Sequence, residues 1–181
     1  MEAISPSTWF PVVTLVIGVL LKAVFDSWTE NRKARFDRES RVEKRKEVIL
    51  LQRIDLQRKA LGDLQESIAD MMRSTGQIHN HDLAVYRETK EWGRNLSPDG
   101  VSEAARVNFR SVSLMRVRIS DEDVRRMTGE LSSLCTQVTL ARSEDDSDRA
   151  IHAASTLYHA TNERIGEVLR ALEHQEQAFL S

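Results

Sequence analysis

Between Trp9 and Phe25 the chain is almost unbroken in its apolar character, with Lys22 the only charged side chain. After Lys46 the apolar residues instead return every three or four positions. The first such run places Leu50, Ile54, Gln57, Leu61, Leu64, Ile68 and Met71 on one stripe, with Gln57 its polar interruption. Spacing of this kind marks helices packed along a seam. The pattern predicts a helix running on to about Trp92. It stops at "GRNLSPDG", residues 93–100, where two glycines, a proline and Asn, Ser and Asp make the clearest breaker in the chain. A second stripe follows at Val101, Ala104, Asn108, Val112, Met115 and Ile119. Within it, "SVSLMRVRIS" also alternates like a strand, but a lone strand has no partner in an otherwise helical chain. The run "SDEDV" from Ser120 offers a cap and an acidic first turn to a third helix. That helix carries Val124, Met127, Leu131, Leu134, Val138 and Ala141. After the turn "RSEDDSD", a fourth stripe holds Ile151, Ala154, Tyr158, Thr161, Ile165, Val168 and Leu172.

These patterns predict an all-α chain: an N-terminal transmembrane helix, then an elongated antiparallel bundle of three to four helices. At ~1.5 Å per residue, 47–92 makes a rod of ~70 Å and 100–142 covers ~64 Å. Helices two and three would then run nearly collinear, kinked at Ser120, and return along the first rod. The fourth would go back outward, leaving the 143–148 turn near the membrane. The alternative is a compact four-helix bundle with a sharp turn at Ser120.

A span needs ~20 largely apolar residues to cross ~30 Å of hydrocarbon. Trp9 and Trp28 sit ~28 Å apart along a helix and suit the two interfaces. Pro11 is expected in the first turn, where its missing N–H costs little. Lys22 is expected to carry its ammonium outward on its long stem. A cleaved signal fits less well, because the leader "MEAISPST" has no basic residue and no small-x-small site follows the apolar run. A soluble core helix fits poorly beside so charged a flank.

Charge adds an orientation. Arg32, Lys33, Arg35, Arg38, Arg41, Lys44, Arg45 and Lys46 all follow the span, and no Lys or Arg precedes it. The expected order is therefore residues 1–8 outside, 9–28 in the membrane, 29–46 as a basic juxtamembrane helix, and 47–181 as a cytoplasmic bundle. From Glu30 to Lys46 eight basic and four acidic residues give +4, whereas the chain of 181 residues carries −2. Such a collar reads as a topology determinant on a solvated helix, supported by Asp37 and Arg41 at i,i+4, or as one drawn to anionic headgroups by ~1 kcal/mol per basic residue held near the surface. Its mixed signs, with Phe36 the one aromatic among them, argue against nucleic acid. Only seven glycines and three prolines occur, and aromatics are 6% of the chain, which agrees with long helices. The single Cys135 cannot form an intrachain disulfide.

Candidate chemistry is sparse. In "HNHD", His79 and His81 point ~200° apart on a helix, unlike the i,i+4 pair a metal wants. His152 and His159 read as ordinary bundle positions. "SEDDSD" lacks the glycine and terminal Glu of a calcium loop, and Asp146 or Ser147 serves better as a helix cap. No phosphate-binding loop, dinucleotide fingerprint, nucleophile elbow or kinase signature occurs. No catalytic residue, cofactor or metal site is expected. Trp92 and Arg94 read as a partner contact or, for Trp92, a staple on the helix end. Gln57 reads as a register-setting polar residue or an edge position.

The stretches "LQRKALGDLQESIADMMRSTGQIHNHDLAVYRETKEWGR" and "NERIGEVLRALE" resemble uncharacterised actinobacterial single-span membrane proteins with a helical cytoplasmic region. The resemblance implies that architecture and no activity. The expected function is that of a membrane-anchored, non-enzymatic scaffold or adaptor acting through an unidentified protein partner. The alternative is an oligomeric membrane effector, a pore or a stress or phage-defence component, for which Thr14 and Gly18 allow close packing of spans. Leu51, Leu56 and Met72 widen the first stripe beyond one seam, so self-association as a homodimer is expected through Leu50, Leu51, Ile54 and Leu56.

Overall fold

The structure, a computed structural model, describes residues 6–93 and 100–180. Among these residues every regular element is a helix: α1 Pro6–Thr89, α2 Val101–Arg116, α3 Glu122–Thr139 and α4 Glu144–Leu180. The chain divides into two compact units, Met1–Leu50 and Leu51–Ser181.

In the first unit nearly all the described side chains stand out into solvent, among them Leu15, Leu21, Phe25, Trp28 and Phe36, with Ser40 and Leu50 half-buried. The guanidinium carbon of Arg32 lies 5.9 Å from the Trp28 ring centroid, a cation–π distance. Pro11 falls beyond the first turn of α1, which already includes Pro6. Among the described residues no helix is long and apolar enough to cross a membrane. The side chains of Trp9, Pro11 and most others up to Val24 lie outside the described residues.

In the second unit, contacts fix the direction of each helix. On α2, the Asn108 amide donates to the Asp70 carbonyl (3.0 Å) and to Ser74 Oγ (3.2 Å), and Ser111 meets Ser67 at 2.9 Å. Rising numbers on α2 thus meet falling numbers on α1. On α3 the order reverses: Ser120, just before it, bonds Gln57, whereas Cys135 Sγ lies 3.5 Å from Met72 Sδ. Along α4, Ser147 meets His79, Asn162 meets Gln65 and Glu176 meets Arg58. The unit is therefore an up-down-up-down four-helix bundle. Helices two and three are not collinear, since Cys135 would then lie far below Met72 on α1. The 143–148 turn sits at the His79 end of the bundle, and α4 returns from there towards Arg58.

The reversal at Ser120 has a physical cause. α2 ends at Arg116, and Asp121 is extended (φ −71°, ψ 123°), with its carboxylate accepting the Val124 N–H at 2.9 Å as the cap of α3. Ile119 is buried from this turn, not from a helix. Gln57 holds the turn from below: its Nε2 donates to the Arg118 carbonyl (3.1 Å) and its Oε1 accepts the Ser120 N–H (2.9 Å). The polar interruption in the first stripe is thus a clamp within the chain. Gln57→Leu is expected to cost about 1 kcal/mol, by loss of two hydrogen bonds whose backbone partners stay open to water. A shift in the denaturation midpoint with unchanged helicity checks this.

The core follows the predicted stripes closely on α1, where Ile54, Leu61, Leu64, Ile68 and Met71 are all buried. Val112, Val124, Leu131, Val138, Ala154 and Ile165 face them from the other helices. On α2, Ala105 is buried where Ala104 was expected, and Leu114 and Val117 are exposed, so the strand-like alternation has no structural counterpart. Buried Thr75 and Thr161 return their hydroxyls to the Met71 and Leu157 carbonyls at 2.8 and 2.7 Å, which lets polar residues sit in the seam. α1 stops three residues short of Trp92. Lys90 turns left-handed (φ 60°) and its N–H reaches the Tyr86 carbonyl at 2.8 Å. Of the breaker 93–100, residues 94–99 lie outside the described residues.

Candidate functional site

The richest polar grouping lies at the end of the bundle where α1 finishes and α4 begins. Ser143 caps α4: its Oγ accepts the Asp146 N–H (3.2 Å) and donates to the Asp146 carboxylate (2.7 Å). Those bonds hold the Asp146 carboxyl below the usual carboxylate range, the Ser143 hydroxyl contributing most and Arg149 adding to it. The cap expected at Asp146 or Ser147 is thus supplied by Ser143. One turn on, Ser147 is fully buried and its Oγ lies 2.8 Å from His79 Nδ1. Asp148 Oδ1 lies 3.5 Å from His79 Nε2.

Ser, His and Asp therefore meet, but not as a hydrolytic triad. A nucleophile must reach substrate, and the Ser147 side chain has no solvent-exposed surface. The arrangement instead ties the first turn of α4 to α1. His81 faces elsewhere, as the 3.6-residue period requires, and its buried Nε2 has no hydrogen-bond partner. Burial pushes the neighbouring Asp82 carboxyl up, with His81 and His79 pulling the other way. Among the described residues no group of three His, Cys, Asp or Glu side chains is placed to hold a metal. Cys135 is buried, and burial raises its thiol pKa against the opposing pull of Thr75. Such a thiol is a poor nucleophile.

Trp92 staples the end of α1. Its ring meets Tyr86 edge-on at 5.8 Å and its Nε1 donates to the Ala141 carbonyl at 3.1 Å. Arg94 lies outside the described residues.

The residues expected to mediate self-association part company. Ile54 is 3% exposed and belongs to the chain's own core, while Leu56 is 67% exposed. Leu50 and Leu51 are half-buried. Val48 and Ile49 add exposed apolar surface that the sequence pattern did not single out. The described collar residues Arg32, Lys33, Arg35, Arg38, Arg41, Lys44, Arg45 and Lys46 are all exposed, as is Lys22. Reading the sequence missed Ser147 and Asp148 as partners of His79, because 68 residues separate the two ends of that contact. The polar first turn of α4 was the one visible sign. No family model, curated protein or solved structure matches the chain.

Proposed function

We propose that this protein is a membrane-anchored helical scaffold, non-enzymatic, whose bundle works through protein contacts on the cytoplasmic side. Residues 9–28 form the anchor, with residues 1–8 outside and the collar of Arg32 to Lys46 against anionic headgroups. The observation that carries this reading is the exposure of the large apolar side chains described between residues 9 and 28. Leu15, Leu21, Phe25 and Trp28 are each more than half exposed. Apolar surface left in water forgoes about 25 cal/mol per Å², which a lipid environment supplies. Arg32 stacked beside Trp28 suits the headgroup level, where indole and guanidinium are both favoured. A reporter fused after Ser181 is expected to be active only in the cytoplasm. Activity on the outer side overturns the orientation, and a chain that stays out of the membrane fraction overturns the anchor.

In the membrane plane the scaffold pairs with a second copy through the exposed side of α1 around Leu56, with Leu50 and Leu51 at its margin. Tethering raises the effective concentration of copies, so a small contact suffices. With Cys135 replaced by Ser, a single cysteine at position 56 is expected to cross-link in membranes, while one at position 54 stays unreactive. Failure at 56, and equally at 48 and 49, rejects the dimer.

A further inference from the structure

A groove of about 380 Å³ lies between α2 and α3, lined in part by Arg116, Val117, Arg125, Thr128 and Ser132. Three features of it stand out. Arg116 is exposed and has no carboxylate partner among the described residues. Thr128 is fully buried, yet its hydroxyl makes no hydrogen bond, although buried polar groups nearly always do. Gly129 stands in mid-helix, where glycine is a poorer helix former than alanine. The third feature bears on the first: a Cβ on residue 129 would stand 2.6 Å from one terminal nitrogen of Arg116. Glycine leaves α3 bare enough for that guanidinium to lie across it in this position. Arg125 adds a second guanidinium, held by Glu122 one turn earlier on α3. A fork of donors beside an unused hydroxyl matches an oxyanion.

We propose that the groove binds a phosphate group, gripped by Arg116 and Arg125 and receiving the hydroxyl proton of Ser132, with the buried Thr128 hydroxyl reached once the Arg116 side chain lifts onto the ligand. Bound phosphate then fills the orphaned hydrogen bond, and it supplies a counter-charge to Arg116. Arg125 shares its charge with Glu122, so Arg116 carries the larger part. Exposed Leu114 and Val117 border this region of α2. They offer an apolar surface to acyl chains if the phosphate is a lipid headgroup.

The test uses the full chain in neutral detergent, titrated by calorimetry with inorganic phosphate and, in a second arm, with dihexanoyl phosphatidic acid. Binding is expected to weaken at least tenfold in Arg116→Gln. Gly129→Ala is expected to weaken it similarly while leaving the unfolding midpoint unchanged or raised, since the displaced group is the mobile end of a side chain. Sensitivity to both substitutions in the inorganic arm identifies free phosphate as sufficient. Sensitivity in the lipid arm alone identifies the headgroup. Binding in neither arm, or binding that survives Gly129→Ala in a folded chain, overturns the proposal.

Discussion

Ile165→Asp is expected to destabilise the bundle by several kcal/mol and to abolish its cooperative unfolding. Ile165 has no exposed surface and sits in the cluster formed by Leu61, Leu64, Ile68, Val124 and Leu131. An aspartate there loses the transfer energy of the isoleucine and must also either ionise in apolar surroundings or take up a proton. Arg164 and Gly166 are its chain neighbours, but consecutive residues on a helix point about 100° apart, so Arg164 offers no counter-charge. The control is Ile165→Val, for which about 1 kcal/mol is expected. Chemical denaturation followed by circular dichroism at 222 nm separates the two variants. A midpoint for Ile165→Asp close to that of Ile165→Val would remove the residue from the core.

The second large effect is expected at the reversal between α2 and α3. Asp121 does two things there. It caps α3 through the Val124 N–H, and it accepts from Arg164 of α4, with Nη2 at 2.8 Å and Nε at 3.4 Å. Losing the cap costs about 1 kcal/mol. The ion pair adds less than its short distance suggests, because Arg164 is partly exposed and also reaches Glu167 and Asp123, so about 1 kcal/mol is its ceiling. Asp121→Ala should therefore cost about 1–2 kcal/mol near neutral pH. The effect should depend on pH in a defined sense. Burial works to raise the Asp121 carboxyl, but the Val124 N–H and Arg164 outweigh it and leave its pKa below the ordinary value. A carboxyl depressed by folding contributes stability that is complete above its unfolded pKa and lost as pH falls through its folded one. The gap between wild type and Asp121→Ala should close below about pH 4. A gap that persists in acid would mean that the side chain acts by packing alone.

These two sites also show how far the sequence carries. Ile165 was visible, because seven positions of its stripe keep strict three-four spacing and the structure buries or half-buries every one. Four helices and their seam were legible for the same reason. The direction of α3 was not. Ile119 keeps the phase of the α2 stripe, so periodicity runs straight through a place where the chain turns back. What settles the turn is the extended Asp121 backbone and the Gln57 clamp, and Gln57 finds its partners 61 and 63 residues away. A side chain whose partner is that distant carries no local signature. Thr128 and Gly129 make the same point: an ordinary threonine and glycine in a helix take on meaning only once Arg116 of another helix lies over them.

The alternating up-down connectivity has a consequence for how the chain becomes a bundle during synthesis. α3 and α4 are neighbours in sequence and form the most heavily paired helices apart from α1. Such local pairing closes short loops and is fast. The contacts of α1 with α4 are of another kind, since Arg58 waits for Glu176 until more than a hundred further residues have left the ribosome. At 5–20 residues per second this leaves the α4-facing side of the α1 seam uncovered for roughly 5–25 seconds, although α2 and α3 emerge earlier. That side of the Leu61, Leu64 and Ile68 strip is then open on a nascent chain, and that interval is when a chaperone has the most to hold.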